Sequence, residues 1–222
     1  MFIECGSALL PFLFSFHPAL RFHKTWKAFF RANLTVGLLF VIWDVAFTHL
    51  GVWGFNTDYV CGIYVFNLPL EEILFFICIP FASLFTYHCM KYFFQIVRIP
   101  SRNISVFLTI VLFVVGFLSV PKLYTAVTFL SLAIFLTGLI RYLKPQWLAH
   151  FYLSYALILI PFTLVNGLLT GSWINEPIVW YNDAENLGIR MLTIPIEDVF
   201  YGFLLLLLNT WLYERYLQKQ KA

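Results

Sequence analysis

Two pairs of neighbouring carboxyl residues stand out in this sequence, because each pair follows a proline and precedes a long apolar run. The first is Glu71-Glu72 in "NLPLEEILFF", and the second is Glu197-Asp198 in "TIPIEDVFYG", 126 positions later. A carboxyl group that is buried beside another carboxyl tends to stay protonated. It can then give a proton to a substrate while a second carboxyl accepts one. The sequence leaves open which acid takes which part.

Helix capping is the alternative interpretation of these pairs. Proline is favoured at the first helical position, and acidic residues in the first turn complement the helix dipole. Capping needs one acid per helix, however, and gives no reason for two pairs in matching contexts. An ionisable residue in a membrane segment is costly and is a functional candidate by default. We therefore expect Glu71, Glu72, Glu197 and Asp198 to be catalytic.

The elements that must position these acids are membrane helices. Of the 222 residues, 61% are hydrophobic and only 11% are charged, whereas about a quarter of a soluble domain is charged. The composition predicts an all-α membrane protein of about seven transmembrane helices. We interpret the N-terminal run as a first span and not as a cleavable signal. The predicted spans cover about 2–18, 32–50, 66–90, 103–120, 122–140, 147–170 and 190–213.

The basic residues predict the orientation of these spans. Twelve of the 14 Lys and Arg residues fall on one side of the predicted membrane, against Lys122 and Arg190 on the other. Because cytoplasmic loops carry the excess of positive charge, we expect the N-terminus outside and the C-terminus in the cytoplasm. The chain is expected to be a multi-pass protein of the cell (inner) membrane. Its short basic clusters report topology, so no nucleic-acid partner is expected.

The two acid pairs also suggest an internal repeat within a single membrane domain over 1–222. Repeat 1 covers about 2–90, a linker helix covers about 103–120, and repeat 2 covers about 122–213. Each copy has a polar residue in the span before its acids, Asp44 in the first and Asn166 in the second. Parallel repeats of this kind commonly hold a site between them. We therefore expect the two acid pairs to face each other.

Polar and aromatic residues near the acids are candidates for supporting roles. We expect a polar network in the loop before the last span, with Arg190 paired to Glu185 or Asp183; a solvated loop is the alternative. Aromatic faces stabilise cations, although lipid-facing aromatics are ordinary in membrane proteins. The predicted loop residues are Tyr181, Asn182, Glu185 and Arg190, and the predicted aromatic residues are Phe75, Phe76, Phe200 and Tyr201.

Several chemistries have no motif in the sequence. No G-x-G-x-x-G follows a predicted strand, so no dinucleotide cofactor is expected. No aspartate-rich motif for magnesium diphosphate and no clustered His or Cys spacing is present, so no metal site is expected. The four cysteines, Cys5, Cys61, Cys78 and Cys89, are expected to be small buried hydrophobes.

Three segments resemble the small integral-membrane lycopene β-cyclases. They are "DVAFTHLGVWGFN", "LPLEEILFF" and above all "YNDAENLGIRMLTIPIEDVFYGFLLLLLN". The resemblance covers most of residues 32–213. In some bacteria the family consists of two half-length polypeptides, whereas both halves are on one chain here. Similar proteins occur in archaea and in fungal fusions with phytoene synthase.

The resemblance implies closure of the ψ-end of lycopene to a β-ionone ring, giving γ- or β-carotene. Glu71, Glu72, Glu197 and Asp198 would supply the proton donor and acceptor. Asp44, Asn166, Asn182, Glu185 and Arg190 would support them. The reaction involves no net redox change, so no flavin or other cofactor is expected. The implied partners are lycopene or a similar linear carotenoid, the lipid bilayer, and other enzymes of the carotenoid pathway.

Two other functions stay open at the level of sequence. A small transporter would need a polar path, but the predicted spans that follow the acids are almost entirely apolar. A cyclase or isomerase of a related isoprenoid would use the same cation chemistry. A retinal photoreceptor would need a lysine in the last span, and residues 190–213 contain none.

Overall fold

The computed structural model describes the backbone of residues 2–221 and the side chains of residues 6–220. The expectation for Cys5 lies outside the described side chains. Within the described range the chain forms seven α-helices and six very short strands. The helices are α1 (Phe2–Phe14), α2 (Trp26–His49), α3 (Leu70–Phe93), α4 (Ser101–Leu118), α5 (Leu123–Gly138), α6 (Leu148–Leu169) and α7 (Ile196–Lys221). The strands are β1 (Trp53–Phe55), β2 (Tyr64–Val65), β3 (Leu68–Pro69), β4 (Val179–Tyr181), β5 (Arg190–Met191) and β6 (Ile194–Pro195).

Six helices in the described range are long and apolar enough to cross a bilayer. They correspond to α2 to α7, where α2 is extended by the 3-10 turn Phe22–Thr25 before it and α5 by the π turn Leu139–Leu143 after it. The spans are Phe22–His49, Leu70–Phe93, Ser101–Leu118, Leu123–Leu143, Leu148–Leu169 and Ile196–Gln220. This confirms the predicted all-α membrane protein. The first helix is shorter than the predicted span over 2–18, because it ends at Phe14 in a turn where the Ser15 hydroxyl donates to the Pro11 carbonyl at 2.7 Å. Its 13 residues rise about 20 Å, less than the roughly 30 Å of a hydrocarbon core.

The helices that carry the acids begin later than predicted. Residues 66–69 and 190–195 were expected to be helical, and this is wrong. Each segment belongs to a two-stranded antiparallel hairpin, β2–β3 or β5–β6. The first helical N–H of α3 and of α7 donates back across its hairpin, from Leu70 to Ile63 and from Ile196 to Ile189, both at 2.9 Å. Arg190 therefore lies in a hairpin and not on α7.

Both hairpins turn through a bulky residue in the left-handed region of backbone space. The φ angle is 59° at Phe66 and 58° at Leu192. Glycine is the residue that normally fits the first turn position of such a two-residue hairpin. Because the usual glycine is missing there, the apolar runs continue through both turns and the sequence predicts helix for both segments.

The chain divides into two compact units. Unit 1 holds the chain up to Gln95, Ile178–Trp180, and Leu205 onward. Within it α2 runs antiparallel to α3, since Asn33 Nδ2 donates to the Phe76 carbonyl at 2.9 Å and Asn67 Nδ2 donates to the Val45 carbonyl at 3.0 Å. The antiparallel direction brings the end of α2 back to the beginning of α3, where the first acid pair lies.

Unit 2 holds Ile96–Pro177 and Tyr181–Leu204. The first residues of α5 and α7 lie side by side in this unit, with the rings of Phe129 and Phe200 4.8 Å apart. Helix α6 packs on α7 through Tyr155, whose ring lies 4.8 Å from that of Phe203. The predicted single domain and its repeats stay predictions.

Candidate active site

The second acid pair lies in the first turn of α7, immediately after the β5–β6 hairpin. Glu197 is 0% exposed and Asp198 is 5% exposed. The hairpin pairs Arg190 with Pro195. This pairing fixes the backbone immediately before α7 and so fixes where the first turn of the helix, with its two acids, begins. The two carboxyls are therefore held inside unit 2, on adjacent residues of one helix.

Asp198 accepts hydrogen bonds on both carboxylate oxygens. The Tyr124 hydroxyl donates to Oδ1 at 2.5 Å. Asn166 Nδ2 and the Tyr181 hydroxyl donate to Oδ2 at 2.8 and 2.7 Å. The two tyrosine rings are stacked, with centroids 6.0 Å apart. Three donors on one carboxyl group stabilise its ionised form, since an ionised carboxylate only accepts.

Glu197 is bound differently, through one oxygen only. The Thr125 hydroxyl donates to Oε1 at 2.5 Å, and the Leu187 backbone N–H donates to the same atom at 2.8 Å. The other oxygen, Oε2, is buried and has no hydrogen-bond partner among the described residues. The two acids are neighbours in sequence, yet Asp198 accepts hydrogen bonds on both oxygens and Glu197 on one only.

The loop before α7 holds the beginning of α5, which carries Tyr124 and Thr125. The Leu123 N–H donates to Glu185 Oε2 at 3.0 Å, and the Tyr124 N–H donates to the Glu185 carbonyl at 2.9 Å. Lys122 Nζ donates to the Asn186 carbonyl at 2.7 Å. A helix leaves its first N–H groups without internal partners, and Glu185 supplies acceptors for two of them. Glu185 is thus placed to support the acids through α5.

The predicted ion pair of Arg190 forms with Asp183, and not with Glu185. The Arg190 guanidinium lies 2.5 Å from Asp183 Oδ1 and also donates to the Thr193 carbonyl at 2.7 Å. Its hydrogen bond holds the pKa of the Asp183 carboxyl below the usual value. The stabilising contribution of this pair is therefore complete above the ordinary carboxyl pKa and is lost as pH falls through the lowered value. The Asp183 side chain is 66% exposed, so the contribution is small.

Asn182 lies in the turn that shapes this loop. Its carbonyl accepts from the Glu185 N–H at 3.0 Å and from Asn186 Nδ2 at 3.1 Å. Its side-chain Oδ1 accepts from the Ala184 N–H at 3.1 Å. The predicted support from Asn182 is thus a contribution to the loop, whereas Tyr181 and Asn166 donate directly to Asp198.

The first acid pair has a more open environment in unit 1. Glu71 and Glu72 lie in the first turn of α3 and are half-buried. Glu71 accepts from the Cys61 backbone N–H at 2.9 Å and from Cys61 Sγ at 3.5 Å. Cys61 is exposed, whereas Cys78 and Cys89 are half-buried within α3. The expectation of a small buried hydrophobe is therefore wrong for Cys61, because its backbone N–H and thiol bind Glu71 outside the apolar core.

Asp44 is buried in α2 and binds an indole. Trp53 Nε1 donates to Asp44 Oδ1 at 2.5 Å, and Asp44 is 2% exposed. This contact ties α2 to β1 in unit 1. Asp44 and Asn166 were predicted as counterparts, but Asn166 donates to an acid of the second pair whereas Asp44 accepts from a tryptophan.

The predicted aromatic residues fall in two clusters. In unit 1 the rings of Phe75 and Phe76 are 5.6 Å apart and edge-on. In unit 2 Phe200 packs on Phe129, and the ring of Tyr201 lies 6.4 Å from that of Tyr124. Tyr201 therefore extends the tyrosine group around Asp198.

Sequence reasoning missed the two residues of α5 that bind the second acid pair, Tyr124 and Thr125. The available signal was the pair of adjacent hydroxyl residues at the beginning of an otherwise apolar span. Among the described residues, no group of three or more His, Cys, Asp or Glu side chains could hold a metal ion. The expectations about metals and cofactors stay predictions.

The comparisons with known proteins identify a family. The family model described as lycopene cyclase matches residues 1–90 and 121–216, which is most of the chain. No curated protein and no solved structure matches the chain. The chain therefore belongs to the lycopene cyclase family, and it is a multi-pass membrane enzyme of carotenoid cyclisation.

Proposed function

We propose that the protein is a lycopene β-cyclase. An acid protonates C2 of the terminal double bond of lycopene and leaves a tertiary cation at C1. The C5–C6 double bond attacks C1, which closes a six-membered ring and moves the cation to C5. A base then removes the proton at C6, and the electrons of that bond form the C5–C6 double bond of the β-ring. The product is an isomer of the substrate.

The observation that carries this proposal is the buried pair Glu197 and Asp198. Both side chains are almost fully buried, and among the described residues neither forms an ion pair. Protonation of a carbon–carbon double bond needs an acid that is neutral and screened from water. A carboxyl group in an apolar protein interior meets that need, because burial opposes its ionisation.

The surroundings of this pair suit a cationic intermediate. Tyr124 and Tyr181 are stacked and bound to Asp198, and Tyr201 lies edge-on to Tyr124. Aromatic faces attract cations by ~2 kcal/mol or more when both are desolvated. Glu71 and Glu72 occupy the matching first turn of α3 in unit 1, and we propose them as a second acid–base pair in their own right.

The proposal includes the substrate, the membrane and the cofactor expectation. Lycopene or a similar linear carotenoid dissolves in the bilayer, so we infer that the substrate enters from the lipid of the cell (inner) membrane. The orientation is the predicted one, with the N-terminus outside and the C-terminus in the cytoplasm. The reaction adds one proton to the substrate at C2 and removes another from C6, with no net transfer of electrons, so we expect neither flavin nor metal to be required.

Expression in cells that accumulate lycopene tests the proposal directly. Pigments are extracted and separated by chromatography, with the amount of protein in the membrane measured in parallel. We expect lycopene to be converted to γ-carotene or β-carotene. Growth in deuterated water should place one deuterium on each new ring, at the carbon derived from C2.

An exposed acid in unit 2 provides the matched control. Glu176 lies in the loop after α6 and is exposed, so Glu176→Gln should convert lycopene as the unmodified chain does. Unchanged lycopene, with the protein present in the membrane at normal levels, would contradict the β-cyclase proposal. A ring with its double bond in another position would assign a different cyclase reaction.

A further inference from the structure

We propose that Glu197 is the proton donor of ring closure, acting through Oε2, and that Asp198 stays ionised as the counter-charge of the carbocation. Two residues in the first turn of α5 distinguish these roles, since Tyr124 binds Asp198 Oδ1 and Thr125 binds Glu197 Oε1. This inference rests on the proposed cyclase function, and it names the part played by each acid of the second pair.

The hydrogen bonds at Asp198 identify it as the ionised member. Two hydroxyl groups and one amide donate to it, and they engage both of its oxygens at 2.5–2.8 Å. In a protonated carboxyl one oxygen carries the proton and becomes a donor. Protonation of Asp198 would therefore place its O–H against a group that already donates to that oxygen, and would weaken that hydrogen bond. The beginnings of α5 and α7 also direct their positive dipole ends toward this region. The site therefore favours one negative charge, and Asp198 holds it.

The hydrogen bonds at Glu197 identify it as the neutral member. Both of its donors bind Oε1, which suits the carbonyl oxygen of a protonated carboxyl. Oε2 is buried without a partner in the described part of the chain. An ionised Glu197 would leave charge on that bare oxygen beside the Asp198 carboxylate, which is costly in an apolar interior. A protonated Glu197 instead has an O–H on Oε2 that is free to meet a substrate double bond.

The proton balance closes with Glu197 alone. The Oε2–H bond breaks, and the electrons of the C1–C2 double bond form the new C–H bond at C2. The C5–C6 electrons form the C1–C6 bond, and the cation moves to C5. The C6–H bond breaks, its electrons restore the C5–C6 double bond, and the Glu197 carboxylate takes the proton. Asp198 remains charged throughout, so the site returns to its starting state.

Thr125 and Tyr124 are the positioning residues of this arrangement. Thr125 occupies Oε1 of Glu197 and so leaves Oε2 for the substrate. Tyr124 fixes the Asp198 carboxylate from the preceding residue of the same helical turn. The spacing of the two residues on α5 thus matches the spacing of the two acids on α7.

Infrared spectroscopy of the purified protein in lipid vesicles tests the protonation states without relying on turnover. The difference spectrum between the unmodified chain and Glu197→Gln at neutral pH should contain the C=O band of a protonated carboxyl. The corresponding spectrum for Asp198→Asn should contain carboxylate bands. The reverse assignment, or carboxylate bands for both variants, would overturn the proposal whether or not lycopene is the substrate.

Turnover of lycopene in isolated membranes tests the catalytic roles. Removal of a general acid typically costs 10²–10⁴-fold, so Glu197→Gln should slow ring closure by about 1,000-fold. Glu197→Asp should keep part of the rate, because it keeps a proton donor. Asp198→Asn should slow the reaction by about 100-fold, as loss of electrostatic stabilisation does. A Glu197→Gln variant within tenfold of the unmodified chain would overturn the donor role.

A pair of Thr125 variants tests positioning. Thr125→Val removes the donor to Oε1 and should lower kcat about tenfold with KM unchanged, a hydrogen-bond effect of ~1.4 kcal/mol. Thr125→Ser keeps the hydroxyl and should restore the rate. Equal rates for the two variants would contradict the positioning role. An inactive unmodified chain that still shows the protonated Glu197 would contradict the β-cyclase proposal alone.

Discussion

At the residue scale, Glu185 caps the N-terminus of α5 from a loop 62 positions later in the chain. Lys122, the residue before α5, makes no side-chain cap of its own, and Glu185 Oε2 takes the Leu123 N–H instead. The next two residues of α5 bind the acids of the second pair. Replacing Glu185 should therefore shift the first turn of α5 and, with it, the hydroxyl groups of Tyr124 and Thr125 that bind the acids.

We expect Glu185→Ala to lower the cyclisation rate about fivefold and to cost about 1 kcal/mol of stability, the usual effect of losing a cap. Glu185→Gln keeps an acceptor oxygen and should stay close to the unmodified chain. The rate is measured in membranes, and stability is measured as the fraction folded after heating in detergent. An alanine variant with unchanged rate and stability would mean that the cap does not position α5.

The residues of the site were predictable from sequence to different degrees. The two acid pairs were visible because carboxyls are rare in apolar runs. Tyr181 was visible because it lies in an unusually polar loop, and Asn166 was visible because it is a polar residue within an apolar span. Tyr124 and Thr125 were missed because hydroxyl residues are common at the beginning of a span, and their partner is 72 or more positions away. Residue types alone do not encode such long-range contacts.

At the scale of elements, Pro80 and Asn33 form a matched pair within unit 1. Proline has no N–H, so Pro80 cannot donate to the carbonyl of Phe76 one turn earlier in α3. Asn33 Nδ2 on α2 donates to that carbonyl at 2.9 Å. Asn33 also lies 3.4 Å from Asn209 Oδ1. The amide thus satisfies a backbone group that would otherwise be unpaired in an apolar interior.

A double-mutant cycle measures this compensation. Asn33→Leu should destabilise the protein by about 1–3 kcal/mol, the cost of an unpaired buried carbonyl. Adding Pro80→Ala restores a backbone N–H at position 80, so the double variant should recover part of the loss. Melting in detergent by tryptophan fluorescence gives the four values of the cycle. Strictly additive effects would show that Asn33 and Pro80 do not act on the same carbonyl.

The boundaries of the elements show where sequence patterns are informative. Spans were predicted well in their apolar middles, because hydropathy reports them directly. The hairpins at 63–69 and 189–195 were missed because strands of two residues show no alternation and their turns lack glycine. Even so, the two hairpins share their register and their tip conformation. This local likeness, at the spacing of the two acid pairs, supports the predicted repeat.

At the scale of the whole molecule, the directions of the helices in unit 1 fix how the two chain ends relate. The segment after α1 packs near the end of α3, because His88 Nε2 bonds to the Leu20 carbonyl at 2.8 Å and Phe22 lies 5.6 Å from Phe85. Helix α1 also packs along α3. The two helices therefore run in the same direction, although α1 is short.

The last helix also runs parallel to α3, because Asn33 joins the earlier residue Asn209 of α7 to Phe76 in the first half of α3. Glu214 of α7 accepts from the Tyr87 hydroxyl and from Lys91 Nζ, both at 2.6 Å. Both of these residues lie in the last turns of α3. Helices α1, α3 and α7 therefore share one direction. The beginning of α1 and the end of α7 are expected on opposite sides of the membrane, which agrees with the orientation inferred from the basic residues.

Labelling of single cysteines in intact cells tests this orientation. In a chain whose native cysteines are replaced by serine, Gly6→Cys should react with a membrane-impermeant maleimide from outside. Gln218→Cys, near the end of α7, should react only after the membrane is permeabilised. Both positions are exposed on the protein surface and lie near helix ends. Labelling after permeabilisation shows that each position can react, so that protection in intact cells reports the side of the membrane.

Restoring Cys61 alone provides the internal control for this experiment. Cys61 is exposed and bonds to Glu71 at the beginning of α3, so it should be labelled from outside together with position 6. Protection of position 6 in cells where Cys61 is labelled would place the N-terminus in the cytoplasm. In that case α1 would not cross the membrane and would lie along the cytoplasmic half of α3. Labelling at both positions from outside would show that α1 crosses together with α2, despite its rise of only about 20 Å.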